Sequence, residues 1–500
     1  MALEVWMVSA ELSPLARTGG LGDVQRALPS ALAGLGVHVR QFIPAYGFVS
    51  RTGFAEDPER LEIPLDKVKL PVRFWSRTEP TGVTTTLVAC DELFGRDEIY
   101  GPPGGEFPDN PRRFTFFCRA VTELAHQSHR APDVIHCHDW PAALIPLFVK
   151  KLYTWTDHRP ATVFSIHNLA YQGRFMARHI QWLSLNGAQT QEIFSPDGLE
   201  YYGDVSFMKA ALLYADHLVT VSPTYAHEIL TPEFGCGLEG ILLSRAHALT
   251  GILNGADERV WDSANDPLLP KAYDVNTVTE GKKAAKRIAQ KELGMAVSER
   301  LTLALVGRFA YQKGIDVLLE ASLKIIGQGV DLMIVGDGDP ALARDVLTLR
   351  KDLPNRVGVY VGYDDRMAHV VMAAADLVAV PSRYEPCGLT QMHAQRYGTI
   401  PIVHSTGGLA DTVTDADENP KNGNGFRFTP LNAVKLLDAV RRAVDCHHTD
   451  SKRWSAIQKR GMTKSFSWTD AAKKYLTVYR ELADQPSTGK SDVLAPAVVR

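Results

Sequence analysis

Short apolar runs separated by amphipathic stretches recur almost from end to end of this chain, and that alternation constrains its fold more than any other feature. In the first half the candidate strands are residues 5–9, 37–43, 84–90, 134–137, 162–166 and 217–221. In the second half they are 301–306, 332–335, 357–361, 377–380 and 400–403. Amphipathic segments lie between them, such as 23–35, closed by Gly36, and 110–125. Strands that are apolar throughout need cover on both faces, so the spacing predicts an α/β fold of parallel sheets with helices packed on each side.

A length of 500 residues exceeds a single hydrophobic core. Residues 262–300 are charged and strandless, with Pro267 and Pro270 near their start, and they separate the two alternating blocks. The expected division is a first domain over 1–250 and a second over 251–482, with the turn Asn254-Gly255 close to the boundary. A last helix is expected over 469–482 and a disordered tail over 483–500, as undocked ends usually are. Thr18-Gly19-Gly20-Leu21-Gly22-Asp23 is echoed by Thr406-Gly407-Gly408-Leu409-Ala410-Asp411. Two Rossmann-like halves, each with a glycine loop at its strand ends, would place a ligand in the cleft between them.

Basic residues number 54 and acidic residues 57, for a formal net charge of −3. This gives no electrostatic case for nucleic acid or an anionic membrane as partner. The six cysteines form no C-x-x-C pair, so the expectation is reduced thiols in a cytoplasmic protein. Residues 1–10 are apolar but lack a basic n-region and a small-residue cleavage site, and read as a first buried strand. No apolar run approaches the roughly 18 residues a membrane helix needs.

Four stretches at expected strand ends could carry chemistry. In Arg17-Thr18-Gly19-Gly20, glycines would let backbone amides approach a phosphate and Arg17 could pair with it; a tight strand-to-helix turn explains the loop equally well. Arg308 and Lys313, five residues apart in Gly307-Arg308-Phe309-Ala310-Tyr311-Gln312-Lys313-Gly314, could grip a diphosphate, or form a solvated basic loop. Pro381-Ser382-Arg383-Tyr384-Glu385-Pro386-Cys387-Gly388-Leu389-Thr390 sets a carboxylate between a strand and a helical stretch at 389–397. Glu385 is placed there to touch a ligand or to cap the helix. His136-Cys137-His138-Asp139-Trp140 invites a metal reading, but a strand sends neighbours to opposite faces and no further ligand cluster follows. Polar groups lining a cleft, Asp139 on a sugar hydroxyl and His167-Asn168 beside it, fit better.

Together these stretches resemble the bacterial glycogen synthases and plant starch synthases. The likeness runs from Val5 to about Leu482 and rests on Thr18-Gly19-Gly20-Leu21, His138-Asp139-Trp140, Ile166-His167-Asn168-Leu169-Ala170-Tyr171-Gln172-Gly173 and Tyr214-Ala215-Asp216. It continues through Val221-Ser222-Pro223-Thr224-Tyr225, Asn254-Gly255, Gln312-Lys313-Gly314, the 381–391 stretch and Thr406-Gly407-Gly408-Leu409-Ala410-Asp411. The resemblance implies a GT-B architecture, two Rossmann-like doubly wound domains facing across a cleft, with an acceptor-side first domain and a nucleotide-sugar second domain whose last helix crosses back. It implies glucose transfer from ADP-glucose to the non-reducing end of an α-1,4-glucan, glycogen or a malto-oligosaccharide, with retention and without a cofactor or catalytic metal. Carried onto this chain, Arg308 and Lys313 would hold the diphosphate and Glu385 would be the acidic residue at the glucosyl site. Cys387, Gly388, Leu389 and Thr390 would contact donor glucose and phosphates, with Tyr363 near the adenine. Asp139, His167 and Asn168 would line the sugar site, Asn254 the hinge side, and Asp23 the acceptor side of the Arg17-Thr18-Gly19-Gly20 loop. The family usually has lysine where this chain has Arg17, a bulkier planar cation.

Two other functions compete. A retaining transferase using a UDP- or GDP-sugar often has a second glutamate eight residues after the first, where this chain has His393. A non-catalytic glucan-binding relative would not need the cations and Glu385. No side chain is an obvious nucleophile for double displacement, which favours front-face attack on the donor sugar.

Overall fold

The computed structural model describes residues 2–102, 104–155 and 158–484. Most of the expected tail, from residue 485 on, lies outside the described residues. The chain forms two compact units, one built from Met1–Val221, Ala226–Gly255 and the segment from Trp468, the other from Ser222–Tyr225 and Ala256–Ser467.

The first unit contributes β1 (Glu4–Val8), β2 (His38–Pro44), β3 (Ala55–Leu65), β4 (Val68–Thr78), β5 (Thr84–Ala89), β6 (Val134–His138) and β7 (Ala161–Ile166). A small antiparallel sheet follows, of β8 (Arg174–Met176), β9 (Glu200–Tyr201) and β10 (Asp204–Ser206), and then β11 (His217–Thr220) and β12 (Leu249–Gly251). The main sheet runs β12-β11-β7-β6-β1-β2-β5-β4-β3. It is parallel from β12 to β5, and β4 and β3 close it as an antiparallel edge.

The second unit holds β13 (Thr302–Val306), β14 (Asp331–Gly336), β15 (Val357–Val361), β16 (Leu377–Val380), β17 (Ile400–His404) and β18 (Phe426–Phe428). Their order is β15-β14-β13-β16-β17-β18, parallel throughout. Side chains alternate between faces with period two. Leu303 and Leu305 enter one core with Ile315, Leu318 and Leu436, whereas Ala304 enters another with Ala285, Ala289 and Val371. Burial on both sides explains why these strands read as unbroken apolar runs.

In both sheets the first strand of the unit sits in the interior, and the chain moves outward on one side before returning to build the other. The order therefore reverses between β1 and β6 and again between β13 and β16. At such switch points the loops leaving the strands' carboxyl ends diverge and open a crevice for ligands.

The helix Trp468–Ala483 belongs to the first unit, where Trp468, Tyr475 and Tyr479 are buried with Val5, Met7, Val24 and Leu28. The helix expected over 23–35 occupies Gly20–Ala33, starting inside the glycine loop. No helix among the described residues is long and apolar enough to cross a membrane.

Candidate active site

In the second unit the loops after β13 and β16 meet at the switch point. Gly314 has φ +65, and a Cβ there would lie 1.9 Å from the Pro381 carbonyl oxygen, so only glycine allows this approach. That approach brings Lys313 to Glu385, 72 residues away: Lys313 Nζ donates to Glu385 Oε2 at 2.7 Å, and Ser382 Oγ donates to the same oxygen at 2.8 Å. Glu385 is buried and engaged, so it does not cap the following helix, Thr390–Arg396, whose N-cap residue is Leu389. Arg383 braces the loop from outside, bidentate to Asp316 at 2.9 and 2.6 Å and stacked over the Tyr311 ring at 3.4 Å. Arg308, on the β13 loop, is exposed.

The second glycine motif supports this loop. Gly408 N donates to the Glu385 carbonyl at 3.0 Å, and a Cβ on Gly408 would sit 2.0 Å from the Cys387 carbonyl oxygen. Gln391 Nε2 donates to the Cys387 and Gly388 carbonyls at 3.2 and 2.7 Å, fixing the turn at Gly388, where φ is +73. Tyr363 stands apart. It follows β15, two strands from β13 and so about 10 Å along the sheet; it is 72% exposed, with its hydroxyl donating to Asp365 at 2.8 Å.

In the first unit the loops after β1, β6 and β7 carry the other candidates. In the first of them, read from sequence as either a phosphate-contacting loop or a tight strand-to-helix turn, the Thr18 and Gly19 amides donate to Glu11 Oε2 at 2.8 and 3.0 Å. The Thr18 and Tyr100 hydroxyls donate to Glu11 Oε1 at 2.7 and 3.0 Å. An anion meeting this loop would find those two amides already committed. Glu11 escaped sequence reasoning; the signal was a lone acid in the apolar run Ser9-Ala10-Glu11-Leu12 just beyond a buried strand. Arg17 and Asp23 pair with each other at 3.0 Å across the exposed loop.

Asp139 ends β6 with φ +55, a conformation unusual for a residue with a Cβ. Its Oδ1 accepts the His167 amide at 2.8 Å, tying the β6 and β7 loops together. Burial raises its carboxyl to about 7, against the opposing pull of the His167 and Asn168 amides. Burial lowers His167 to about 4, keeping its ring neutral near pH 7. His138 Nδ1 lies 2.9 Å from His167 Nε2. His136 is held inside the unit by Ser165 Oγ and by the Tyr479 hydroxyl of the terminal helix, each at 2.7 Å. Among the described residues no group of three or more His, Cys, Asp or Glu is placed to hold a metal ion. Asn168 Oδ1 accepts the Ala170 amide at 3.1 Å. Asn254 is buried, and its Oδ1 has no hydrogen-bond partner among the described residues.

Residues 4–244 match the starch synthase catalytic domain family and residues 288–460 the family glycosyl transferases group 1. The chain is 42% identical to glycogen synthase 2 of Nitrosococcus oceani over 98% of its length and 100% of that protein. The chain belongs to the glycogen and starch synthase family. Glycogen synthase 2 of Geobacter metallireducens is likewise 42% identical, over 96% of this chain and 99% of the relative. The catalytic domain of starch synthase IV from Arabidopsis thaliana, bound to ADP and acarbose, superposes with a TM-score of 0.87 at 31% identity, over 97% of this chain and 100% of that one. The protein is a glycosyltransferase of GT-B fold, and the apolar alternation read from its sequence as a doubly wound α/β architecture is the core of that fold.

Proposed function

We propose that this enzyme transfers glucose from ADP-glucose to the non-reducing 4-hydroxyl of an α-1,4-glucan with retention of configuration. The observation that carries the reading is the Lys313–Glu385–Ser382 cluster at the switch point of the second unit, in a chain whose relatives are glycogen synthases over their full length. The ADP and acarbose bound to the starch synthase IV domain support a nucleotide donor and a glucan acceptor.

Arg308 and Lys313 take the diphosphate, with Cys387, Gly388, Leu389 and Thr390 along the donor and Tyr363 at the adenine end. When the bond from glucose C1 to the β-phosphate oxygen breaks, its electron pair goes to that oxygen, and the two cations stabilise the charge. The acceptor O4 attacks C1 from the same face, and its proton passes to the departing phosphate. Glu385 steadies the cationic sugar. His167, neutral near pH 7, together with Asp139 and Asn168, hydrogen-bonds the sugar hydroxyls. Asn254 shapes the hinge side, and the Arg17-Thr18-Gly19-Gly20 loop with Asp23 faces the acceptor. The products are ADP and a glucan longer by one residue.

The test is ADP release from ADP-glucose with and without glycogen, with UDP-glucose in parallel. Glycogen-dependent release from ADP-glucose is expected. A strong preference for UDP-glucose would overturn the donor, and silence with both would overturn the activity.

A further inference from the structure

Tyr202 has no part in the site described above, and its conformation calls for a reason. β9 and β10 pair with Tyr201 opposite Asp204, so Tyr202-Gly203 is a two-residue turn, with φ +51 and +83. Such turns take Asn, Asp or Gly at their first position, because a left-handed backbone crowds a larger side chain. Here the position holds a tyrosine that is 77% exposed and so gains little from burial. A sterically disfavoured backbone under an exposed aromatic ring points to a task outside folding.

The surroundings suggest the task. The Tyr201 ring meets Tyr202 edge-on, with centroids 4.8 Å apart at 76°, and Arg174 lies over Tyr201 at 5.4 Å. The Tyr201 hydroxyl and Gln172 Nε2 both donate to the Cys236 carbonyl, at 3.1 and 2.9 Å. That shared acceptor sets the tyrosine pair beside the 171–172 segment, where Tyr171 is 50% exposed. Arg174 pairs with Asp204 at 3.0 Å and Glu200 accepts the Gly203 amide at 2.6 Å, so the ring faces are flanked by charged hydrogen-bonding groups. The patch is continuous with the site of the first unit. The chain runs from His167 and Asn168 into Tyr171 and Gln172, and Gly173 packs on the indole of Trp140, the neighbour of Asp139, so tightly that a Cβ would lie 2.7 Å from it.

We propose that this patch, centred on Tyr202, is an accessory glucan-binding site, holding α-1,4-linked glucose residues of the acceptor several units back from the reacting end. Pyranose C–H faces stack on aromatic rings while the flanking polar groups meet the hydroxyls. The inference rests on the glucan-acceptor reading above. Carboxylates beside ring faces suit the hydroxyls of a neutral polymer, and a long chain can reach beyond the loop of His167 whereas a short one cannot.

The test compares wild type, Tyr202→Asn and Tyr202→Phe by mobility in native gels containing glycogen and by initial rates on glycogen and on maltotriose. Asparagine suits the turn, so Tyr202→Asn is expected to melt no lower than wild type, which separates binding from folding. It should lose retardation by glycogen and raise the KM for glycogen about fivefold, the size of one lost ring contact, with kcat on maltotriose unchanged. Tyr202→Phe, which keeps the ring, should behave as wild type. If Tyr202→Asn matches wild type on glycogen, or loses glycogen and maltotriose activity in parallel, the accessory site is wrong. A change in its elution size would make a second copy of the chain the occupant and overturn the proposal equally. A wild type inactive on both acceptors would overturn the function reading, and this one with it.

Discussion

Lys313 Nζ is paired with the Glu385 carboxylate at 2.7 Å, and in the proposed mechanism it turns from there to the departing diphosphate. Replacing Lys313 by alanine is expected to lower kcat/KM by about 10²- to 10³-fold, roughly 3–4 kcal/mol of transition-state stabilisation. Steady-state kinetics check this, and a near-normal kcat would remove Lys313 from the mechanism. Asp139 predicts a pH effect. Its carboxyl is raised to about 7 by burial, so the ionised form that the proposed mechanism assigns to the sugar hydroxyls fills only as pH rises through 7. The profile of kcat/KM should rise there, and Asp139→Asn should flatten that limb. The same shift favours the folded state while the carboxyl is protonated, so its stabilising contribution is lost as pH rises through about 7. His167 runs the other way: lowered to about 4, it contributes stability above its ordinary range near 6.5 that is lost as pH falls toward 4. Asp139 and His167 were both readable as strand-end residues in a doubly wound sheet. Glu11 was not, because its role depends on the Thr18 and Gly19 amides folding back onto it.

Most strands of the two large sheets were legible as elements, since burial on both faces leaves an apolar run that survives in sequence. The hairpin β3–β4 was not. Its inward residues, Leu61, Ile63, Val72 and Phe74, are interleaved with charges and with Pro58, Pro64 and Pro71, a composition that an edge strand tolerates and a pattern search discards. The short β8, β9, β10, β12 and β18 carry too few residues to show a period. The glycine echo also proved unequal in context. Gly408 is pressed against the Cys387 carbonyl, whereas a Cβ on Gly19 would meet nothing within 4 Å. Gly408→Ala is therefore expected to destabilise by about 1–3 kcal/mol through overpacking and to displace the Glu385 loop, while Gly19→Ala should leave the melting temperature unchanged. Thermal denaturation of the two variants side by side decides this.

The helix Trp468–Ala483 completes the core of the first unit although it follows the whole of the second in sequence. Burying Trp468, Tyr475 and Tyr479 contributes about 1.5–3 kcal/mol each, a large share of the total stability of an ordinary domain. Truncation before Trp468 should thus unfold the first unit, with the cores of the second retained, as limited proteolysis or calorimetry would show by the loss of one transition. The Tyr479 hydroxyl also satisfies buried His136, so Tyr479→Phe should cost about 1–3 kcal/mol within that same transition. What the sequence alone determined was the α/β class and the strand-end positions of the candidate residues, because these follow from local periodicity, and the family, through its ordered motifs. Which partners meet was decided only by tertiary structure. Lys313 reaches Glu385 because β13 pairs with β16, and the terminal helix docks beside β1 because an apolar stripe there is left for it. Such pairings depend on sheet order and on space between distant segments, which no local pattern encodes.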